Sequence, residues 1–453
     1  MTCIVAILPL LISVCLADIY LNVEGDTRRA IDLGEFAFGD VGKAEFHVTH
    51  FLAYPAAFTN GKVNDSLGFV LDRVPSVQLA RGKKNWARTE GAEQRTCFIA
   101  AKEMLPNEGE RHLFSFSGKT IGEIQSTPFS ADIKVPGLYA LFYYNCIGFD
   151  IPKDQELPVI PVTFEVRAVL YNVNERGEKN YLSYGDRYLP AVFGIFALVF
   201  LVMAIVWGKL LRDNAKYAHK IHSLMLFLVV VKALSLGFES AKFAHYGSTG
   251  HPSVWDVFYY ILLTVKGVAL FTVLLLLGSG WSIMKAFLSD RDKKILIVVL
   301  TSQVFVNIAL AMIEETSEGS TSWSQWHDLL EILDIVCCCC VLLPIVWSMK
   351  GLREAAQQDE KAARTIARMH RFRSFYIVIV AYIYSTRIAV DMIENSLPYQ
   401  STWIAKVIRE CVAVAFYLYT GSKFQPAAEN PYLHVERDDA EELATRDEVT
   451  ARV

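Results

Sequence analysis

The sequence predicts a membrane protein in two parts, an antiparallel β-sandwich followed by a bundle of seven transmembrane helices. Three observations carry this. The first two-fifths or so of the chain is cut by turn residues into short aromatic and β-branched runs; from Tyr188 the apolar runs lengthen to helical span size; and Lys and Arg concentrate in alternate loops between those spans. Composition agrees. Counting Gly and leaving out Tyr, about 54% of the 453 residues are apolar, above the roughly 45–50% of soluble domains, and mean hydropathy is +0.29. The formal charge of -4 supplies no basic footprint for nucleic acid. Disorder of the whole chain is excluded by the same hydrophobicity.

The chain opens on an apolar stretch of about thirteen residues, 4–16, too short for the roughly 20 residues that cross a bilayer. Small residues at Cys15 and Ala17 precede Asp18, so 1–17 reads as a signal peptide cut after Ala17. Residues 18–187 then form the luminal domain, with two cysteines, Cys97 and Cys146. In an oxidising lumen these pair as a disulfide, the alternative being two separate buried thiols. Asn64-Asp65-Ser66 is a glycosylation sequon on the same side.

Strands are predicted at 44–52, 66–71, 112–117, 138–144 and 162–171, separated by Asn60-Gly61, Pro136-Gly137 and similar turns. No long helical period is apparent here. His47 and His50, three apart in one strand, are placed on opposite faces. The segment contains no G-x-S-x-G, H-E-x-x-H, P-loop or G-x-G-x-x-G, so neither enzymatic activity nor a cofactor is expected.

Spans are predicted at 188–211, 221–244, 255–280, 295–313, 329–349, 374–394 and 403–421, so the bundle covers 188–421. The loops after spans one, three and five carry fifteen Lys and Arg, from Lys209 to Arg373, whereas the intervening loops carry Lys242 alone. The positive-inside rule therefore puts the N-terminus in the lumen and the acidic, disordered tail 422–453 in the cytosol.

Ionisable groups inside a bilayer cost about 2.5–3.5 kcal/mol each on insertion. The spans nevertheless carry Lys232, Glu239, Lys266, Glu331, Asp334, Arg387, Asp391, Lys406, Arg409 and Glu410. Spacings of three, four and seven put Lys232 with Glu239, Glu331 with Asp334, Arg387 with Asp391 and Lys406 with Glu410 on shared faces. Two readings stay open: a hydrated polar cavity that binds an ion, a head group or a small ligand, or structural salt bridges. Cysteines 337–340 are consecutive and point about 100° apart in a helix, so they read as packing residues, not metal ligands.

The strings PGLYALFYYNC (136–146), YLP (188–190), GWSIMKAFLSDRDKK (280–294) and KFQPAAENPYL (423–433), in this order and spacing, resemble the lung seven-transmembrane receptor family, the GOLD-domain seven-transmembrane proteins, and its plant-type members in particular. The resemblance implies a GOLD-like luminal sandwich, residence in Golgi, trans-Golgi or endosomal membranes with the plasma membrane as the alternative, and a role in membrane trafficking. It also implies a second reading, a G-protein-coupled receptor-like protein; span three, however, ends in GSGWS where that reading would place Asp-Arg-Tyr. Tyr432 to Val435 form a Tyr-x-x-aliphatic string of the kind that sorting adaptors read. Expected partners are membrane lipids, a luminal ligand or cargo protein, and sorting adaptors or a G protein engaging 350–373. A third functional reading is an ion-conducting or lipid-binding bundle.

Overall fold

The computed structural model describes residues 18–53, 58–59, 61–63, 67–74, 111–146, 161–278, 290–315, 378–379, 381–382 and 385–426, with isolated positions 320, 326, 329 and 332. The N-terminal part is a sandwich of two antiparallel sheets. One has the order β1 (Asp18–Asp26), β10 (Val162–Val173), β3 (Gly42–Ala53), β8 (Phe129–Ile133), with the short β11 (Lys179–Asn180) on β10. The other has the order β2 (Ala30–Phe38), β9 (Gly137–Asn145), β6 (Leu67–Val74), β7 (Arg111–Ser115). A two-residue pairing of β4 (Phe58–Thr59) with β5 (Lys62–Val63) closes a hairpin.

The core between the sheets is aromatic because the inward positions of the central strands are aromatic. Phe69 lies 5.3 Å from Tyr143 and 5.9 Å from Phe164, centroid to centroid. Tyr143 and Phe164 are 4.6 Å apart, within the range where tilted ring pairs add to simple burial. All five predicted strands are present. The sheet formed by β2, β9, β6 and β7 does not show the expected one-sided alternation, since every residue of β9 is buried. Its outer face forms a second cluster, with Val70, Leu138, Phe142 and Tyr144, against which Tyr184 and Tyr399 pack. Tyr399 belongs to the membrane part, so the second cluster is where the two parts of the molecule meet.

One local reading is corrected. His47 and His50 are both exposed, not on opposite faces, because a β-bulge shifts the β3–β10 register between Thr49 and Leu52 and His50 takes φ = 50°. An extra residue in one strand resets the two-residue alternation. The N-terminal part also contains one helical turn, α1 (Ile121–Ser126), opened by a capping box in which Thr120 and Glu123 satisfy each other's backbone N–H. Thr120→Ala is expected to cost about 1 kcal/mol, seen as a lowered unfolding midpoint of the full chain.

Helices α2 (Leu189–Asp213), α3 (Lys220–Thr249), α4 (Val254–Gly278) and α5 (Asp290–Glu315) correspond to spans one to four. A five-residue π-helical turn, Ser385–Ala389, runs into α6 (Val390–Ser396) of span six, and α7 (Trp403–Lys423) is span seven. Among the described residues, two helices, Leu189–Asp213 and Lys220–Thr249, are long and apolar enough by composition alone to cross a membrane. Span seven departs from a purely apolar helix because Lys406, Arg409 and Glu410 fall within two turns of one another.

Candidate functional site in the bundle

The deepest ionisable residue of span two finds its partner on another helix. Lys232 lies near the midpoint of α3, and its Nζ donates to Glu410 Oε1 of α7 at 2.8 Å, with Oε2 at 2.7 Å. Both side chains are buried. Span one supplies the wall: the Phe200 ring sits 5.5 Å from Lys232 Nζ and 5.3 Å, edge-on, from the ring of Tyr417, which lies about two helical turns beyond Glu410 on α7. Tyr382 of span six stacks on Phe416 at 4.1 Å.

Lys266 of span three faces the same centre, within electrostatic reach of Lys232, Glu239, Glu410 and Arg409. Five of the ten intramembrane residues singled out from sequence thus converge from spans two, three and seven. Three are cationic and two anionic, so the described cluster carries a net positive charge. Lys406 is partly buried on the first turn of α7. Glu331 and Asp334 lie outside the described residues, as do the side chains of Arg387 and Asp391. Arg387 falls within the π-helical turn and Asp391 just after it, a backbone irregularity that recurs at functional sites. Asn64, Cys97, Tyr432 and Val435 are also outside the described residues. Cys146 is disulfide-bonded, with its partner outside them.

A second group was missed from sequence. Lys242, seen there only as a loop charge, donates to Tyr260 Oη at 3.0 Å, approaches Asp256 at 3.8 Å and lies 4.7 Å from the Tyr259 ring centroid. It ties span two to span three at the sandwich-proximal end. The signal was available in the acid and two tyrosines of the DVFYY string, 256–260, which precede Lys266 on one helix.

The sandwich reaches the bundle through a strap, residues 181–188. Tyr181 N–H donates to the Gly247 carbonyl of span two at 3.0 Å. Leu182 packs on Gly247, where an added Cβ would come within 3.1 Å of the leucine side chain. Asp186 Oδ1 accepts from Thr402 Oγ1 at the start of span seven, 3.1 Å away. Gly185 lies against the Tyr399 carbonyl and the Thr402 hydroxyl, with no room for a side chain. Tyr188 meets Trp403 edge-on at 5.6 Å. The strap's other side is fixed to the sandwich: Tyr184 N–H donates to Ala37 O at 2.9 Å, and buried Asn172 donates to the carbonyls of Ala37 and Leu182. A polar cavity of about 510 Å³ opens beside it, lined by Asp40, Glu175, Arg176, Glu178 and Arg187 among others.

One short segment therefore joins the β-sandwich to the ends of spans two and seven, the two spans that the Lys232–Glu410 pair joins again deep in the bilayer. An antiparallel sandwich set on such a bundle is the architecture of a seven-transmembrane receptor-like protein. Residues 188–431 match the family model described as the GOST seven-transmembrane domain, more than half of the chain, and the chain belongs to that family. It is 29% identical over 445 residues, 97% of this chain and 96% of the relative, to the Arabidopsis thaliana protein named candidate G-protein coupled receptor 6.

Proposed function

We propose that the protein is a seven-transmembrane receptor of membrane trafficking: the sandwich lies in the lumen of Golgi or endosomal membranes, binds a ligand or cargo protein there, and passes its state to the bundle. The observation that carries this reading is the two-point attachment of strap 181–188, to Gly247 of span two and to Thr402 of span seven. A displacement of the sandwich changes the relative position of two helices that the buried ion pair of Lys232 with Glu410 joins. Coupling needs such a shared element with two arrangements.

The positive charge of the odd-numbered loops supports a cytosolic far end, where the tail with Tyr432 and Val435 would meet sorting adaptors. Cys97 is the proposed partner of Cys146, and Asn64 the proposed glycan site. Membrane lipids surround the bundle. The test is cargo delivery in cells lacking the protein. Wild type should restore normal sorting and the strap variant Gly185→Val should not, although it reaches the same membranes. Equal rescue by both would refute the reading.

The name of the Arabidopsis relative, candidate G-protein coupled receptor 6, favours a second reading, in which the same transmission drives a G protein through residues 350–373. That reading requires nucleotide exchange on a G protein that depends on the sandwich and disappears when 350–373 is replaced. An ion-conducting bundle, the third reading, requires a conductance lost in Lys232→Ala or Lys266→Ala.

A further inference from the structure

A second cavity lies at the opposite end of the bundle from the sandwich, between spans one, two, three and seven, with a volume of about 360 Å³. That is within the roughly 300–1,000 Å³ of small-ligand sites. Its lining includes Trp207, Phe416 and Tyr417, and none of its lining residues is charged. On one side it is bounded by Val202, Val206 and Leu418, which are exposed on the outer surface of the bundle and so face lipid. An empty apolar groove of this size in a bilayer forfeits dispersion contacts along all its walls, and a lipid molecule is what is at hand to fill it.

One polar atom in the lining points to which lipid. Thr420 is 5% exposed, lines the cavity, and its hydroxyl makes no hydrogen bond. The other intramembrane threonines do not behave this way: Thr264, Thr272, Thr301 and Thr386 each donate to the carbonyl four residues back, at 2.7–3.0 Å. The same bond is open to Thr420 by its position in α7, and it is not made. Neighbouring Ser422 is satisfied by Tyr419 O at 2.8 Å. A buried hydroxyl without a partner is costly, and it lies one turn before the end of α7 at Lys423, level with the interface between hydrocarbon and head groups. Trp207, whose indole N–H donates to His222 O at 3.3 Å, marks the same level, as tryptophans do at membrane boundaries.

We infer that this groove binds a membrane sterol, its fused rings against Trp207, Phe416 and Tyr417 and its single hydroxyl hydrogen-bonded to Thr420. The chemistry is matched on both counts: a rigid, uncharged apolar body for an uncharged wall, and one hydroxyl at the interface for one unpaired hydroxyl. A phospholipid would bring a phosphate to a lining that offers it no cation.

The test uses the full-length protein in nanodiscs containing a sterol with a diazirine on the ring system and an alkyne on the tail. Photolysis should label peptides spanning Val202–Leu210 and Phe416–Ser422 saturably, and unlabelled sterol should compete. Thr420→Val should raise the half-saturating probe concentration about tenfold, and Thr272→Val, whose hydroxyl is already bonded within its helix, should leave it unchanged. Val206→Trp, a lipid-facing change that fills the mouth and does not depend on how Thr420→Val folds, should abolish labelling. Labelling that is not saturable, that phosphatidylcholine displaces as well as sterol, or that survives Val206→Trp and Thr420→Val would overturn the proposal.

Discussion

Glu410→Met is expected to destabilise the bundle by about 3–5 kcal/mol, the cost of breaking a buried ion pair from one side, and Lys232→Met by less. The asymmetry follows from the neighbourhood. Removing Glu410 leaves Lys232 and Arg409 each within electrostatic reach of Lys266, with Glu239 as the one acid of that group. Removing Lys232 leaves Glu410 with Lys266 and Arg409 still near it. The double variant Lys232→Met with Glu410→Met should be far closer to wild type than either single change, since a buried pair replaced by apolar residues of similar volume is often neutral. Thermal unfolding of the four proteins in one detergent closes the cycle. A double variant whose loss equals the sum of the two single losses would mean that the pair is not an interacting unit.

Gly185→Val should be the most disruptive change in the joint between the two parts. A Cβ there meets the Tyr399 carbonyl and the Thr402 hydroxyl, and neither retreats without moving the turn that starts span seven. Overpacking of this kind costs about 1–3 kcal/mol. Its more telling effect is positional, because the Asp186–Thr402 hydrogen bond lies one residue away. The sandwich itself should stay intact, as its aromatic core around Phe69 and Tyr143 makes no use of the strap. Limited proteolysis should therefore cut Gly185→Val protein within 181–188 faster than wild type while sparing the sheets. Equal cutting would show that the strap is held by something other than this close contact.

The strands centred on 138–144 and 162–171 were legible because their runs are long, aromatic and bounded by turn residues. β1 and β2 were not: Asp18–Asp26 contains Asn22, Glu24 and Gly25, and its place in the sheet comes from pairing with β10, which lies well over a hundred residues away. The α1 turn could have been found from Thr120 and Glu123 alone. The bulge at His50 could not, since it depends on where Glu165 falls across the sheet.

In the bundle, sequence spacing identified which residues carry charge inside the membrane but not that Lys232 pairs with Glu410. Intrahelical spacing put Glu239 on a shared face with Lys232, whereas packing of span one along span two and against span seven brings Glu410 to it. Charges on separate helices have no spacing rule, so only the fold can pair them. The strap was hidden for the same reason: Gly185 and Asp186 read as an ordinary turn until Thr402, more than two hundred residues later, is placed beside them.

In the proposed function, the strap transmits the position of the sandwich across the bilayer through spans two and seven. Site-specific spin labels at Lys216 and Ser422, both exposed at the far end of the bundle, report on it directly when the distance between them is measured by pulsed electron–electron resonance in nanodiscs. A narrow distribution is expected for wild type, and a shifted or clearly broadened one for Gly185→Val. Superimposable distributions for the two proteins would contradict the claim.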